Sequence, residues 1–361
     1  MIDVEAARAD AVKLHAKMTE RGGDRLFLPT GGAFLSMSPG RIEGIISEKL
    51  RLTNEDVFDT YAKWHEGVHM AQLLTSPFVF PIALEMAGLA QRAYRISAGA
   101  DDQHSLIDDL AKRYQTLCDS LENADGEYSP MDIIETHAVT QGFRWTVPYS
   151  DGNALRVLAN FFYREKSPSY VRLLNIACEK FGDDVGTILL PRFCFLSLQA
   201  AKPTRELLFL FDKLSRESSP DHVVTYEPIQ LCEWAGAPVS LVSRSLRERA
   251  ASFVRNAAGQ LVRLTDHPWV GLFAQYFDEF EAVSDSGNRL DLLMGRQGAY
   301  AHSQFSPRFT VYPGGDVRIR GTDPNDQSEI AHEARQGFVE MTLNLVSGLE
   351  FLHRHVATRH L

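Results

Sequence analysis

His65, Glu66 and His69 stand in the stretch KWHEGVHMAQ, residues 63–72, as H-E-x-x-H. An α-helix turns 100° per residue, so histidines four positions apart lie about 40° apart on its surface, one turn above the other. Two imidazoles placed this way can grip one metal ion. Glu66 sits beside that face, near enough to touch a metal-bound water without binding the metal itself. These are the positional demands of zinc-assisted hydrolysis. The chain has 12 histidines in 361 residues, and at such frequencies the motif arises by chance about 0.03 times per chain. The bland alternative is a surface helix with two solvated histidines. It leaves Gly67 unexplained, since glycine in mid-helix costs about 1 kcal/mol against alanine.

Catalytic zinc takes three protein donors and a water. A further glycine and histidine soon after the motif make the metzincin pattern, but the chain continues MAQLLTSPFVF, which excludes that class. The best source of a third donor is SPMDIIETHAVTQGFRW, where Ser129 and Pro130 read as a helix start. Ile133, Ile134 and Val139 supply an apolar face with Glu135 and His137 embedded in it. A carboxylate in such company is expensive to bury unless it is paired or metal-bound.

Over residues 60–145 the chain resembles the gluzincin-type metallopeptidases, in which a glutamate on a second helix, in the pattern E-x-x-A, completes the site. Glu135-Thr136-His137-Ala138 has that form. The resemblance implies a zinc ion held by His65, His69 and Glu135, with Glu66 as general base and a peptide or other amide as substrate. Zinc lowers the pKa of its water towards 7 and polarises a carbonyl. Glu66 takes the water's proton and passes it to the leaving amine. His137 stays open as an alternative third ligand. His137, Tyr149 and Tyr61 are alternatives for holding the oxyanion.

A rival site uses the shorter pattern E-x-x-H, found at Glu66/His69 and again at Glu329/His332. Ferritin-like di-iron proteins combine two such motifs with two single glutamates from four helices. Glu43 and Glu135 are candidates for the single ones, and two iron ions would then make an oxidase or oxygenase. E-x-x-H is expected by chance about 0.8 times in such a chain, so its recurrence says little. A third reading keeps the metal as a structural element of a non-catalytic binding module, because fold does not fix function.

The elements that must position these residues read as mostly helical. Thr53 and Asn54 can cap a helix that carries the motif and stops before Pro77. Further helices are expected near 80–98, 103–122, 130–143, 152–163, 168–180, 184–200 and 203–215. The composition breaks at RESSPDHVVTYEP, residues 216–228. RFTVYPGGDVRIRG reads as a β-hairpin around Pro313-Gly314-Gly315-Asp316, followed by a long closing helix. A turn or short hairpin is expected near 27–37, ahead of the motif. The expected fold is mainly α: a zincin-like helical domain with a small β element before the H-E-x-x-H helix, plus a mixed α/β C-terminal region. The expected division is 1–218, holding the metal site, and 219–361.

Composition narrows the classes. Hydrophobic residues make up 44% and the net charge is −10. That balance supports a packed core and predicts no nucleic-acid or membrane partner. No stretch is long and apolar enough for a bilayer span, and the N-terminus lacks a secretory pattern. Cys118, Cys178, Cys194 and Cys232 include no C-x-x-C spacing and read as reduced core thiols of a cytoplasmic protein. No Walker lysine loop, G-x-G-x-x-G or G-x-S-x-G occurs, so nucleotide-hydrolase and serine-esterase readings lack support. The oligomeric state is not set by any of these features.

Overall fold

The computed structural model describes His65, Val68, His69, Gln72 and residues 75–99, 106–122, 128–146 and 169–237, with short pieces at 253–255, 261–263, 294, 309–311, 317–319, 347–349 and 351–356. These residues are mainly helical. The helices are α1 (Val79–Ser97), α2 (Ile107–Glu122), α3 (Pro130–Thr146), α4 (Ser169–Phe181), α5 (Asp183–Ser197), α6 (Pro203–Ser215), α7 (Pro220–Val224) and α8 (Pro228–Ala235). His65, Val68, His69, Gln72 and Thr75 are helical too and define the histidine helix. Residues 347–349 and 351–356 are helical near the C-terminus.

Local chemistry accounts for where these helices start and stop. Helices α3, α6, α7 and α8 each begin on proline, whose fixed φ suits the first helical position and whose missing N–H costs nothing there. Ahead of α3, the Ser129 backbone N–H donates to Asp132 Oδ2 at 2.7 Å, and the Asp132 N–H donates to Ser129 Oγ at 3.2 Å. This reciprocal box satisfies donors that a helix start leaves open. Between the histidine helix and α1, Ser76 Oγ accepts from the N–H groups of Phe78 and Val79 and donates to Leu198 O. One buried hydroxyl thus turns the chain at Pro77 and ties that turn to the end of α5.

Helix α3 is the centre of the packing. It contacts α2, α4, α5 and α6, and every residue from Pro130 to Val139 is buried. A helix covered on all sides is ordinarily apolar all round. This one buries Glu135, Thr136, His137 and Gln141 as well, a sequence that packing alone does not call for. Beyond it, Phe193 of α5 stacks on Trp234 of α8 with ring centroids 5.8 Å apart. Arg192 Nη1 donates to Tyr226 O at 3.0 Å. Residues on both sides of the expected 218/219 division therefore pack together at α5.

The C-terminal helix reaches back to α1. A Cβ added at Gly348 would stand 1.8 Å from Ala90 O, so the two backbones touch where only hydrogen fits. Gly348→Ala is expected to lower stability by about 2–3 kcal/mol through overpacking. Urea unfolding measures this, and an unchanged midpoint would show that the two helices do not meet there.

Two antiparallel pairs occur later in the chain. They are β1 (Phe253–Arg255) with β2 (Leu261–Arg263), and β3 (Phe309–Val311) with β4 (Val317–Ile319), the latter with Thr310 opposite Arg318. Pairs of three residues do not establish a mixed α/β region, and the turn at 313–316 lies outside the described residues. So do the small β element expected near 27–37 and the helix expected at 152–163. Among the described residues, no helix is long and apolar enough to cross a membrane. Cys194 and Cys232 are buried, Cys118 and Cys178 half-buried, and all are free thiols. Burial pushes the Cys232 thiol up to about 11, which keeps it protonated and unreactive at neutral pH.

Candidate metal centre

The histidine helix and α3 bring three donor atoms together. His65 Nε2 lies 3.1 Å from His69 Nε2. Glu135 Oε2 lies 3.7 Å from His65 Nε2 and 3.6 Å from His69 Nε2. All three side chains are buried, and they form the one cluster of three His, Cys, Asp or Glu donors suited to a metal ion among the described residues.

Their geometry fits an ion. A triangle with these three sides has its corners about 2.0 Å from a common point, against about 2.0–2.2 Å for zinc bound to imidazole or carboxylate. Their electrostatics fit it as well. Glu135 Oε2 is buried and has no hydrogen-bond partner among the described residues. A buried carboxylate oxygen facing two imidazole nitrogens is stabilised by a positive charge standing between them.

Gln72 orders this group. Its Nε2 donates to Ile134 O at 2.8 Å, and a carbonyl can only accept. That contact fixes the amide, so Gln72 Oε1 faces His69 Nδ1 at 2.9 Å and receives its proton. His69 Nδ1 therefore carries the hydrogen, and its Nε2 presents a lone pair to the centre. The second Gln72 N–H points at His137 Nδ1, 3.0 Å away. His137 Nδ1 is then an acceptor and the His137 proton sits on Nε2. An outer partner that sets the tautomer and tilt of a ligating histidine is a regular part of metal sites.

The structure thus brings together His65, His69 and Glu135. His137 stands next to them, tied to Gln72 and tilted against Phe195 at 6.1 Å between ring centroids, but outside the convergent trio. Glu66, Tyr61 and Tyr149 lie outside the described residues, as do Glu43, Glu329 and His332 of the di-iron alternative. Gln72 is the residue the motif search passed over. A signal for it exists, since it sits three positions after His69 and seven after His65, on the same helical face.

Gln72→Leu is expected to weaken zinc binding by about 10–100-fold, because His69 loses the group that holds its tautomer. It also removes the Gln72 hydrogen bonds to Ile134 O and His137 Nδ1, at a stability cost of about 1 kcal/mol. Competition with a chromophoric chelator measures the first effect. Undiminished affinity would remove Gln72 from the centre.

Compared with protein-family models, with curated proteins and with solved structures, the chain finds no match.

Proposed function

We propose that this protein is a zinc-dependent hydrolase of peptide or amide bonds. The observation that carries the reading is the convergence of His65 Nε2, His69 Nε2 and Glu135 Oε2 on one buried point. In this reading those three residues hold the ion and Glu66, next to His65 in the sequence, is the general base. Bound there, zinc acidifies water and polarises a carbonyl. Glu66 moves the proton from water to the leaving amine. Gln72 keeps His69 in its metal-binding tautomer. His137, with its Nε2–H, is the nearest described candidate for donating to a developing oxyanion.

The resemblance to gluzincins supports the same assignment, including a zincin-like arrangement of the two helices. Free thiols held protonated by burial accord with a cytoplasmic setting. The central place of His65 favours the single-ion reading over the di-iron one, where that residue has no task.

Elemental analysis of protein purified without added metal tests the proposal. One zinc per chain is the expected result. Two irons would support the di-iron alternative. One iron would turn the same two-histidine, one-carboxylate set into an oxygen-activating centre, and the hydrolase reading would fall.

A further inference from the structure

Helix α3 carries a second polar feature beyond the metal centre. His137, Gln141 and Arg144 are spaced i, i+4, i+7 and share one stripe of the helix. The stripe starts at His137, whose ring tilts against Phe195 of α5, on the far side of α3 from Glu135. Gln141 is fully buried, yet neither its Oε1 nor its Nε2 has a hydrogen-bond partner among the described residues. Arg144 Nη1 is buried and lacks a partner in the same sense. On α5, Arg192 is buried and directs Nε to Met294 O and Nη1 to Tyr226 O.

We propose that Gln141 and Arg144 bind the carboxylate of a small ligand, with Arg192 adding to the positive field. This site does not depend on the hydrolase reading.

The chemistry of the unpaired atoms selects the ligand. Buried polar groups in native proteins are nearly always hydrogen-bonded, so a run of orphans on one stripe marks a missing partner. Burial and then the neighbouring Arg192 guanidinium push Arg144 down to about 10, and no acidic side chain among the described residues offsets them. A half-buried guanidinium with a shielded, unpaired N–H group beside another cation is favoured by the arrival of an anion. A carboxylate has two oxygens, which match the N–H groups of Arg144 Nη1 and Gln141 Nε2. Gln141 Oε1 then needs an N–H from the same ligand. A peptide or an N-acyl amino acid offers one beside its carboxylate.

The site is separate from the metal centre. Helical side chains lean towards the N-terminus of their helix, so Arg144 leans towards Gln141. Glu135 and Arg144 are nine residues apart, about 14 Å along the axis, and nine steps of about 100° put them on opposite faces of α3. A carboxylate held by Gln141 and Arg144 therefore stands away from the converging trio.

Thermal unfolding of the full chain, zinc-loaded and metal-stripped, tests this, with N-acetylglycine as probe at fixed ionic strength. The expected result is a rise in midpoint with probe concentration in both forms. Arg144→Gln and Gln141→Leu should each weaken that response by roughly tenfold or more. Without probe, Arg144→Gln should melt no lower than the parent, since it removes a buried charge. A parent that N-acetylglycine does not protect overturns the site, as does an undiminished response in both variants. Protection by inorganic phosphate but not by N-acetylglycine overturns the choice of carboxylate. Protection confined to the zinc-loaded form places the probe on the metal instead and also overturns the site. Protection of the metal-stripped form upholds it even where zinc analysis has rejected the hydrolase.

Discussion

Glu135→Leu is expected to lose zinc while becoming no less stable without it. The two halves of this expectation have opposite signs, which gives the test its force. With zinc present, the parent gains about 4 kcal/mol of stability at a free concentration a thousand times its Kd. Structural zinc contributes about 10–16 kcal/mol shared over four donors, so one donor is worth roughly 2.5–4 kcal/mol, or about 10²–10³-fold in affinity. At the same zinc concentration Glu135→Leu should therefore keep only about 0.4–1.4 kcal/mol of that gain, a small rise in its melting midpoint. In the metal-free form the balance reverses. Glu135 Oε2 is buried without a hydrogen-bond partner among the described residues, and replacing such a group with an apolar one of similar size is neutral or stabilising. Calorimetry of both proteins with and without zinc should give curves that exchange order. A carboxylate that only braced the fold would instead lower the midpoint in both conditions. Unaltered zinc affinity in the variant would remove Glu135 from the ligand set and leave two histidines without a third donor.

The long helices were legible because their signals are local and repeated. The expected helix near 80–98 runs Val79–Ser97, and the one expected at 203–215 runs Pro203–Ser215. Pro130 and Ser129 mark the start of α3 in both the sequence and the structure, since the capping box lies within four consecutive residues. Helices α7 and α8 escaped notice because each is short. Five or eight residues give barely one or two turns of apolar spacing, and Ser218, Ser219 and the prolines that open each helix read as a break. Their packing comes from partners far away in sequence, such as Phe193 against Trp234.

The site divides along the same line. His65 and His69 are one turn apart, so the sequence itself places them together. Glu135 is joined to them only by tertiary packing. It could be inferred because a carboxylate among Ile133, Ile134 and Val139 demands a partner, but not which partner. His137 has the same type of burial and the same claim from sequence. What separates the two is Gln72, whose amide occupies His137 Nδ1 and leaves Glu135 Oε2 facing the histidines. An amide that reads three neighbours at once leaves no trace in residue spacing beyond its place on the helical face.

Glu66→Gln is expected to abolish hydrolysis and spare the metal. Glutamine keeps the size and shape of glutamate but cannot accept a proton at neutral pH. A general base contributes about 10²–10⁴ in rate, so turnover of a quenched-fluorophore peptide mixture should fall by at least that lower bound. Zinc content should stay at one per chain, because His65, His69 and Glu135 remain in place to hold the ion. The pairing of these two measurements matters more than either alone. A chelator also stops the parent, but added zinc restores it, and no zinc concentration should restore Glu66→Gln. Loss of both zinc and turnover would mean that Glu66 is a ligand, as the E-x-x-H reading requires. Full turnover with zinc in place would deny it the role of base. If neither protein turns over any peptide while both hold zinc, the ion is a structural brace. The imidazoles then serve a binding module whose ligand is read at α3 rather than cleaved there.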